Sequence, residues 1–327
     1  MPSFNNKIVL VTGAGGSIGS EICKKLLSLG VHRLKCFDIS EYSLYRLSQK
    51  IENDERARFL IGDVRDKERL ERAVVDADIV IHAAALKHVK FCEFNPDEAF
   101  KTNVNGTQNL VDACRKLDVK HAILISTDKA ARPQSVMGTT KSLAEKIFIN
   151  APERSSKNNT KFTAVRFGNV FGTAGSVIET FYRQIVTNAE ITITDENISR
   201  YFISVSDACD LVLNCVTLTG GESETPIFIL KMKKAKIIDI AKKMSEIIRP
   251  NTPFNYQIVG LTPGEKFEEI LVSDEELKYC KDDKKYIIIT RDIQENTIEN
   301  KSSFMNSKEI ENMINEWLLK NRGRLIS

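Results

Sequence analysis

The sequence predicts an α/β protein with a doubly wound, parallel sheet and a smaller, non-contiguous α/β unit. Short apolar runs alternate with helix-length segments through the first half, as in a parallel sheet covered on both faces. A glycine-rich turn joins the first apolar run to the first helix-length segment. Beyond residue 166 the strand-like runs become shorter and more scattered, which marks a second kind of unit.

The elements follow in order. Residues 7–11 (KIVLV) read as a buried strand, and 16–29 as a helix with Gly30 as its C-cap. Strands are expected at 34–37, 57–61 and 77–81, each a short run dominated by apolar residues. Residues 97–117 read as one helix, with Ala99, Val104, Leu110, Val111 and Cys114 as apolar positions. Further strands are expected at 121–125 and 162–166. Residues 168–175 carry three glycines and read as a loop. Short strands at 191–193 and 226–230 and helices at 236–248 and 308–320 fill the second half. Residues 207–218 read as a helix packing back on the first unit, and 281–303, charged and rich in Asn, as an exposed connection. There is no internal repeat and no low-complexity tract.

Composition narrows the classes. A chain of 327 residues, 42% hydrophobic, can bury a sizeable core. The net charge of +3 comes from mixed signs, which leaves no nucleic-acid footprint. No apolar run approaches 18 residues, so no membrane span is expected. The polar start, residues 1–7, leads straight into a strand, so no signal peptide is expected either. Seven scattered cysteines without a C-x-x-C pair read as free thiols in a reducing cytoplasm, and with four unclustered histidines they predict no metal site.

The turn carries chemistry. Gly13-x-x-Gly16-x-x-Gly19, with Gly15, Ser17 and Ile18 between, follows a strand and opens a helix. The first glycine suits a tight turn, the second a close approach of backbone to a pyrophosphate, and the third a helix lying close to the sheet. Asp38, at the end of the second strand, is placed to accept from both ribose hydroxyls and to repel a 2′-phosphate. NAD is therefore expected over NADP, with Arg46 as the nearest counter-signal. Asp63 with Val64, after the third strand, suits the adenine, although Asp63 equally suits a helix N-cap. Ala83, Ala84 and Ala85, after the fourth strand, are small enough to let the cofactor pass. Residues 1–167 thus form a Rossmann-type cofactor unit, rejoined by about 204–222, and 168–327 are mainly a substrate-binding cap.

Ser126-Thr127-Asp128-Lys129 lies at the carboxyl edge of the fifth strand, where ligands bind in open α/β sheets. Met137 and Lys141 are four apart and share one helical face, from which Lys141 can reach the nicotinamide ribose. An acid, an amine and a hydroxyl so close together can move protons on a substrate held against nicotinamide. The alternatives are a solvated Asp128–Lys129 pair, Thr127 as a turn cap and Met137 as core filling.

These residues resemble a family. A Tyr-x-x-x-Lys pair after a nucleotide-binding half is the acid/base signature of short-chain dehydrogenases/reductases, and here the lysine stays while Met137 replaces the tyrosine. The chain is similar to the extended members that act as nucleotide-diphospho-N-acetylglucosamine 4,6-dehydratases, and most of all to the retaining bacillosamine, capsule and legionaminic branch, where methionine also replaces tyrosine. The likeness runs from about residue 7 to 271, through residues 12–19, 84–89, 102–107, 126–141, 166–170, 175–178, 194–195, 200–202 and 263–266. It implies an internally redox-neutral reaction in which C4 is oxidised, water leaves C5 and C6, and a hydride returns to C6. By resemblance Lys129 is the base at C5, Asp128 the acid at the C6 oxygen, Thr127 the partner of the C4 oxygen and Lys141 the holder of the nicotinamide ribose. Asn169 is implied at the substrate diphosphate, Arg200 and Lys266 at phosphate or base, and Lys87, His88 and Asn103 lie in matching substrate blocks.

A thioether cannot take the C4 hydroxyl proton, so Asp128, alone or through Thr127 and a water, is expected to accept it. Ala174 and Thr262 stand where the family often has arginine, which leaves UDP and GDP both open as the nucleotide, with Lys90 restoring some charge. A homo-oligomer is implied by the same likeness. The rival readings are a nucleotide-sugar epimerase and a non-catalytic NAD-binding regulator.

Overall fold

The computed structural model describes residues 4–151, 160–218, 226–293 and 302–321. The first half runs β1 (Ile8–Thr12), α1 (Ser17–Ser28), β2 (Arg33–Asp38), α2 (Glu41–Lys50), β3 (Ala57–Ile61), α3 (Lys67–Val74), β4 (Ile79–His82), α4 (Val89–Phe94), α5 (Pro96–Ala99), α6 (Gly106–Lys116), β5 (His121–Ile125), α7 (Val136–Ile149) and β6 (Lys161–Arg166). The second half runs β7 (Asn169–Val170), α8 (Val177–Val186), β8 (Ile191–Ile193), β9 (Ser199–Ile203), α9 (Val205–Leu218), β10 (Ile227–Leu230), β11 (Lys233–Lys236), α10 (Ile237–Ile248), β12 (Tyr256–Ile258), β13 (Cys280–Asp282), β14 (Tyr286–Ile289) and α11 (Ser307–Asn321).

The large sheet has nine strands in the order β13-β14-β10-β6-β5-β4-β1-β2-β3. Strands β1 to β6 and β10 are parallel, and β14 and β13 close the edge as an antiparallel pair. The chain winds outward from β1 to β3 and returns to β4 on the other side, so β1 and β4 flank the switch point where ligands enter such sheets. All four residues of β4 and all five of β5 are buried, as apolar strands covered on both faces must be. Local caps fix where helices begin: Ser40 accepts from the Ser43 N–H, Asp66 from Arg69 and Ser135 from Gly138.

The smaller unit stacks β11-β9-β7 and β12-β8 against α8, α10 and α11. Its own apolar cluster includes Phe181, Ile193, Phe202, Met244, Ile314 and Trp317. Helix α9 returns to the first unit as expected, packing on α1 and pairing Lys25 with Asp210 at 2.8 Å.

Four expectations change. Residues 97–117 are not one regular helix, because a π-helical turn at Phe100–Asn105 separates α5 from α6. Residues 168–175 hold the two-residue strand β7, which pairs with β9. Residues 226–230 belong to the large sheet, since β10 runs parallel to β6. Within 281–303, β13 and β14 form a sheet edge, because the apolar, β-branched run at 286–289 pairs with β10 while the charges of 281–285 stay near the turn. Residues 294–301 of that expected connection, and 219–222 of the expected return segment, lie outside the described residues.

Candidate active site

The glycine loop has the shape its spacing implies. Gly13 has φ +66°, and a Cβ there would sit 2.7 Å from the Ala84 backbone nitrogen. A Cβ on Gly19 would come within 2.1 Å of the Gly13 carbonyl oxygen, so the helix lies against its own turn only because Gly19 has no side chain. Gly16, the N-cap of α1, offers no side chain to its first-turn N–H groups, which leaves them for a ligand. Asp38 accepts from the Gly15 N–H at 2.9 Å and from the Ser40 N–H at 2.9 Å, which holds its carboxylate at the loop. The Ala83 N–H donates to the Thr12 carbonyl at 3.1 Å, placing Ala83 to Ala85 across the switch point. Ile18 packs against the main core, while the Ser17 hydroxyl accepts from the Ala174 N–H at 3.1 Å.

Asp63 is not the N-cap of the helix after it, because Asp66 holds that place; instead Asp63 binds Arg65, with Nε 2.7 Å from its carboxylate. Val64 is buried beneath Gly106, where a Cβ would stand 2.7 Å from it.

The reaction cluster sits where β5 ends. Asp128 is 1% exposed, in a 3₁₀ turn that Thr127 caps. One carboxylate oxygen, Oδ1, accepts from the Thr127 hydroxyl at 2.9 Å and from Lys129 Nζ at 3.0 Å. The other, Oδ2, is buried without a protein partner. Such an orphan is costly in an inert core and common where a substrate supplies the missing contact. Lys129 also donates to Asn169 Oδ1 at 3.2 Å, so β7 brings the predicted diphosphate residue to the same amine.

Lys141 projects from α7 and donates to the Ile125 carbonyl at 2.6 Å. Burial pulls its amine down to about 8, with Glu145 opposing. His82 lies below, bonded to the Thr12 hydroxyl at 2.7 Å and kept neutral by burial and then by Lys141, with its pKa lowered to about 3. Met137 is 4% exposed and packs in a small apolar cluster with Cys92 and Ala99, so the core-filling alternative describes its contacts.

Other predicted residues divide. Lys87 donates to the Ala174 carbonyl at 3.0 Å, and a Cβ on Gly175 would stand 2.6 Å from the His88 ring. Both therefore line the wall of a cleft of about 900 Å³ that also includes Gly15, Gly16 and Ser17. That cleft does not include Thr127, Asp128 or Lys129 in its lining, so its volume measures space beside the glycine turn rather than at the 127–129 cluster.

Asn103 is engaged inside the protein: it accepts from the Leu86 N–H at 2.8 Å and donates to the Leu86 carbonyl and the Thr140 hydroxyl. It ties the 83–87 segment to α7, and does not face a ligand through that amide. Arg200 donates to the Ser199 and Phe267 carbonyls and stands 3.6 Å from Glu265. Lys266 donates to the Arg132 carbonyl and to Glu269 at 3.0 Å. Sequence reasoning missed Glu269, a carboxylate 3% exposed, whose only signal was its place in an acidic pair after the 263–266 motif. Among the described residues no group of His, Cys, Asp and Glu could hold a metal, and no helix is long and apolar enough to cross a membrane.

Comparison with known proteins gives the family and the fold. The family model for "Polysaccharide biosynthesis protein" matches residues 9–291. An uncharacterized membrane protein of Methanocaldococcus jannaschii is 44% identical over 84% of this chain and 83% of its own length. A UDP-N-acetylglucosamine 4,6-dehydratase (inverting) of Campylobacter jejuni is 38% identical over 89% of this chain and 85% of its own. A UDP-glucose 4-epimerase of Rickettsia rickettsii is 36% identical over 88% and 84%. Among solved structures, Pen from Bacillus thuringiensis superposes with a TM-score of 0.88 at 33% identity, covering 96% of this chain and all of that one. The chain therefore belongs to the polysaccharide biosynthesis protein family and, within it, resembles the nucleotide-diphospho-N-acetylglucosamine 4,6-dehydratases.

Proposed function

We propose that the protein is an NAD-dependent 4,6-dehydratase of a nucleotide-diphospho-N-acetylglucosamine, producing the 4-keto-6-deoxy sugar. The observation that carries the reading is Asp128, buried at the sheet's carboxyl edge with Oδ2 unpartnered beside the Lys129 amine. The glycine loop, Asp38 and Lys141 fit NAD: the loop leaves backbone N–H groups for a pyrophosphate, and the Asp38 carboxylate disfavours a 2′-phosphate. Arg46, the residue that would favour NADP, stands 5.9 Å over the Tyr42 ring. NAD, when bound, supplies an acceptor for the C4 hydride and a donor for C6.

The side chains supply the protons. Asp128, whose Oδ1 accepts from Thr127 and Lys129, takes the C4 hydroxyl proton at Oδ2 and becomes the acid that protonates the departing C6 hydroxyl. One proton thus passes from C4 to the leaving water, which gives Asp128 both tasks and replaces the absent tyrosine. The neutral amine of Lys129 takes the C5 proton as the electron pair moves toward the C4 carbonyl, and later returns a proton to C5. The Thr127 hydroxyl donates its one proton to Asp128 and can accept from the C4 hydroxyl before oxidation. Lys141 holds the nicotinamide ribose, and Asn169 meets the substrate diphosphate.

The first unit, residues 1–167 with 204–218 and the later edge strands, holds the cofactor, and the smaller unit closes over the sugar nucleotide. Lys87 and His88 contact substrate phosphate from the cleft wall, whereas Arg200 and Lys266 bind the Phe267 and Arg132 carbonyls away from that cleft. Association into a homo-oligomer is supported by exposed Phe91, Phe94 and Phe100 on neighbouring helical turns, and sedimentation reads it directly. Seven free, buried cysteines support a cytoplasmic, reducing location.

Incubation with UDP- and GDP-N-acetylglucosamine side by side tests the reading by product mass and NMR. Loss of one water establishes the dehydratase, and the nucleotide that reacts settles UDP against GDP. Retention at C5 is the outcome we assign from Met137; the Campylobacter relative is named as inverting, and the C5 coupling constants decide. A C4 epimerase is the second reading, favoured by the name of the Rickettsia relative. It predicts unchanged mass, and it leaves Asp128 and Lys129 without an elimination to perform.

A further inference from the structure

Lys129 is flanked by a carboxylate that the mechanism above does not use. Glu269 has a side chain only 4% exposed, with Oε1 3.8 Å from Lys129 Nζ and Oε2 3.0 Å from Lys266 Nζ. With Asp128 Oδ1 3.0 Å from Lys129, four charges alternate in sign through the site: Asp128, Lys129, Glu269, Lys266. The neighbouring Glu268 is half-exposed and pairs with the buried Lys234 and with Ser199 instead, so the two adjacent acids have different partners.

Glu269 arrives on a strap, residues 260–269, anchored to both units. The Ser199 N–H and an Arg200 guanidinium N–H donate to the Phe267 carbonyl on the cap side. On the other side Lys266 donates to the Arg132 carbonyl, and Gly264, at φ +78°, lies where a Cβ would stand 3.0 Å from Ser135 and Glu93.

We propose that Glu269 is a positioning residue that fixes the place and the charge balance of Lys129, and thereby ties proton abstraction at C5 to the docked strap. The proposal rests on the dehydratase reading. When the neutral amine takes the C5 proton, an N–H bond forms, the C5–H bond breaks and the electron pair enters the C4 carbonyl as an enolate. A carboxylate beside the new ammonium makes that transfer more favourable, at the cost of a smaller neutral fraction at a given pH. The charged groups facing Lys129 are Asp128 from its own turn and Glu269 from the strap, with Lys266 behind Glu269; β7 adds only the neutral Asn169.

The test separates two half-reactions in the full-length protein with NAD. NADH formation in a single turnover reads C4 oxidation, and deuterium uptake at C5 from D₂O reads Lys129. Glu269→Gln keeps the shape of the strap contacts and removes the charge. It is expected to leave C4 oxidation within about threefold, to slow C5 exchange on its alkaline plateau by roughly tenfold, and to move the rising pH limb of C5 exchange down by about one pH unit. Lys266→Met leaves Glu269 to Lys129 alone and moves the same limb up; it also carries the test if Glu269→Gln fails to fold.

Equal loss in both half-reactions with the limb unmoved, or a Lys266→Met limb that does not rise, overturns the proposal. A wild type that dehydrates while its variants show unshifted limbs overturns this inference alone. A wild type that forms no NADH with either nucleotide sugar overturns the dehydratase reading and this inference with it.

Discussion

Replacing Asp128 by asparagine isolates the step that the missing tyrosine leaves open. The substitution is nearly isosteric, and the amide oxygen can keep both donors now on Oδ1, the Thr127 hydroxyl at 2.9 Å and the Lys129 amine at 3.0 Å. What changes is the Oδ2 position, now a buried acceptor without a partner, which becomes an N–H donor with no proton affinity. A positioned general base contributes about 10²–10⁴-fold, which corresponds to roughly 3–5 kcal/mol on the barrier. Asp128→Asn is therefore expected to slow NADH formation at C4 by at least about a hundredfold in single-turnover stopped flow, with NAD binding unchanged. Thr127→Val removes only one donor and is expected to cost about tenfold. A near-normal C4 oxidation rate in Asp128→Asn would refute the proton-shuttle reasoning, because Asp128 would then have no part in the first half-reaction.

Met137→Leu replaces one apolar side chain by another of similar volume within the Cys92–Ala99 cluster, so steady-state turnover should stay within about threefold and stability within about 1.5 kcal/mol; a collapse of kcat with normal folding would give the thioether a role that it lacks above. Lys141 has its amine lowered to about 8 from an ordinary 10.5, so the unfolded chain binds the extra proton between those pH values. Stability should rise by up to about 3 kcal/mol from pH 8 to 10.5 relative to Lys141→Met, and denaturant unfolding of both across that window checks the sign. Arg166 is 1% exposed and binds Glu145 at 2.6 Å and Glu276 at 2.8 Å; Arg166→Met leaves two acids uncompensated and should cost about 3–5 kcal/mol, read as a drop in Tm.

Legibility followed the range of the interactions. The glycine loop was readable because its three positions are constrained by local sterics, and a Cβ at Gly19 collides with an atom only six residues away. Strands β1, β4, β5 and β6 were readable because each is a short, largely buried apolar run, while β2 and the edge strand β3 were readable from the apolar residues they carry, although β3 has no fully buried residue. The π-turn at Phe100–Asn105 was not, since it coincides with long-range contacts: the Asn103 side chain binds Leu86 and Thr140, partners set by the tertiary fold. The β13–β14 edge was hidden because local charge suggested exposure while the partner of β14, β10, lies about sixty residues earlier. Among site residues, Thr127, Asp128, Lys129 and Lys141 share one stretch and could be grouped by position at a strand end. Arg200 and Lys266 were expected at phosphate, yet their donors meet Phe267, Arg132 and Glu269, contacts set by how a distant strap folds back.

The loss of tyrosine makes sense only with the electrostatics of its neighbours. A tyrosine acting with Lys141 would take the C4 proton at one place, and a separate acid would be needed at C6. In the proposed mechanism Asp128, with one oxygen saturated by donors and the other bare, takes a proton during oxidation and gives it up during elimination within one turnover. In that scheme Lys129 Nζ, 3.0 Å away, donates a hydrogen bond to the carboxylate and takes the C5 proton once Asp128 carries the proton from C4. Glu269 then matters for the same reason, since it keeps a counter-charge on Lys129 after Asp128 has become neutral. Under that proposal Met137 can remain a plain apolar side chain, as its contacts with Cys92 and Ala99 show it, because the cluster at 127–129, flanked by the strap, would hold an acceptor for each proton that must move.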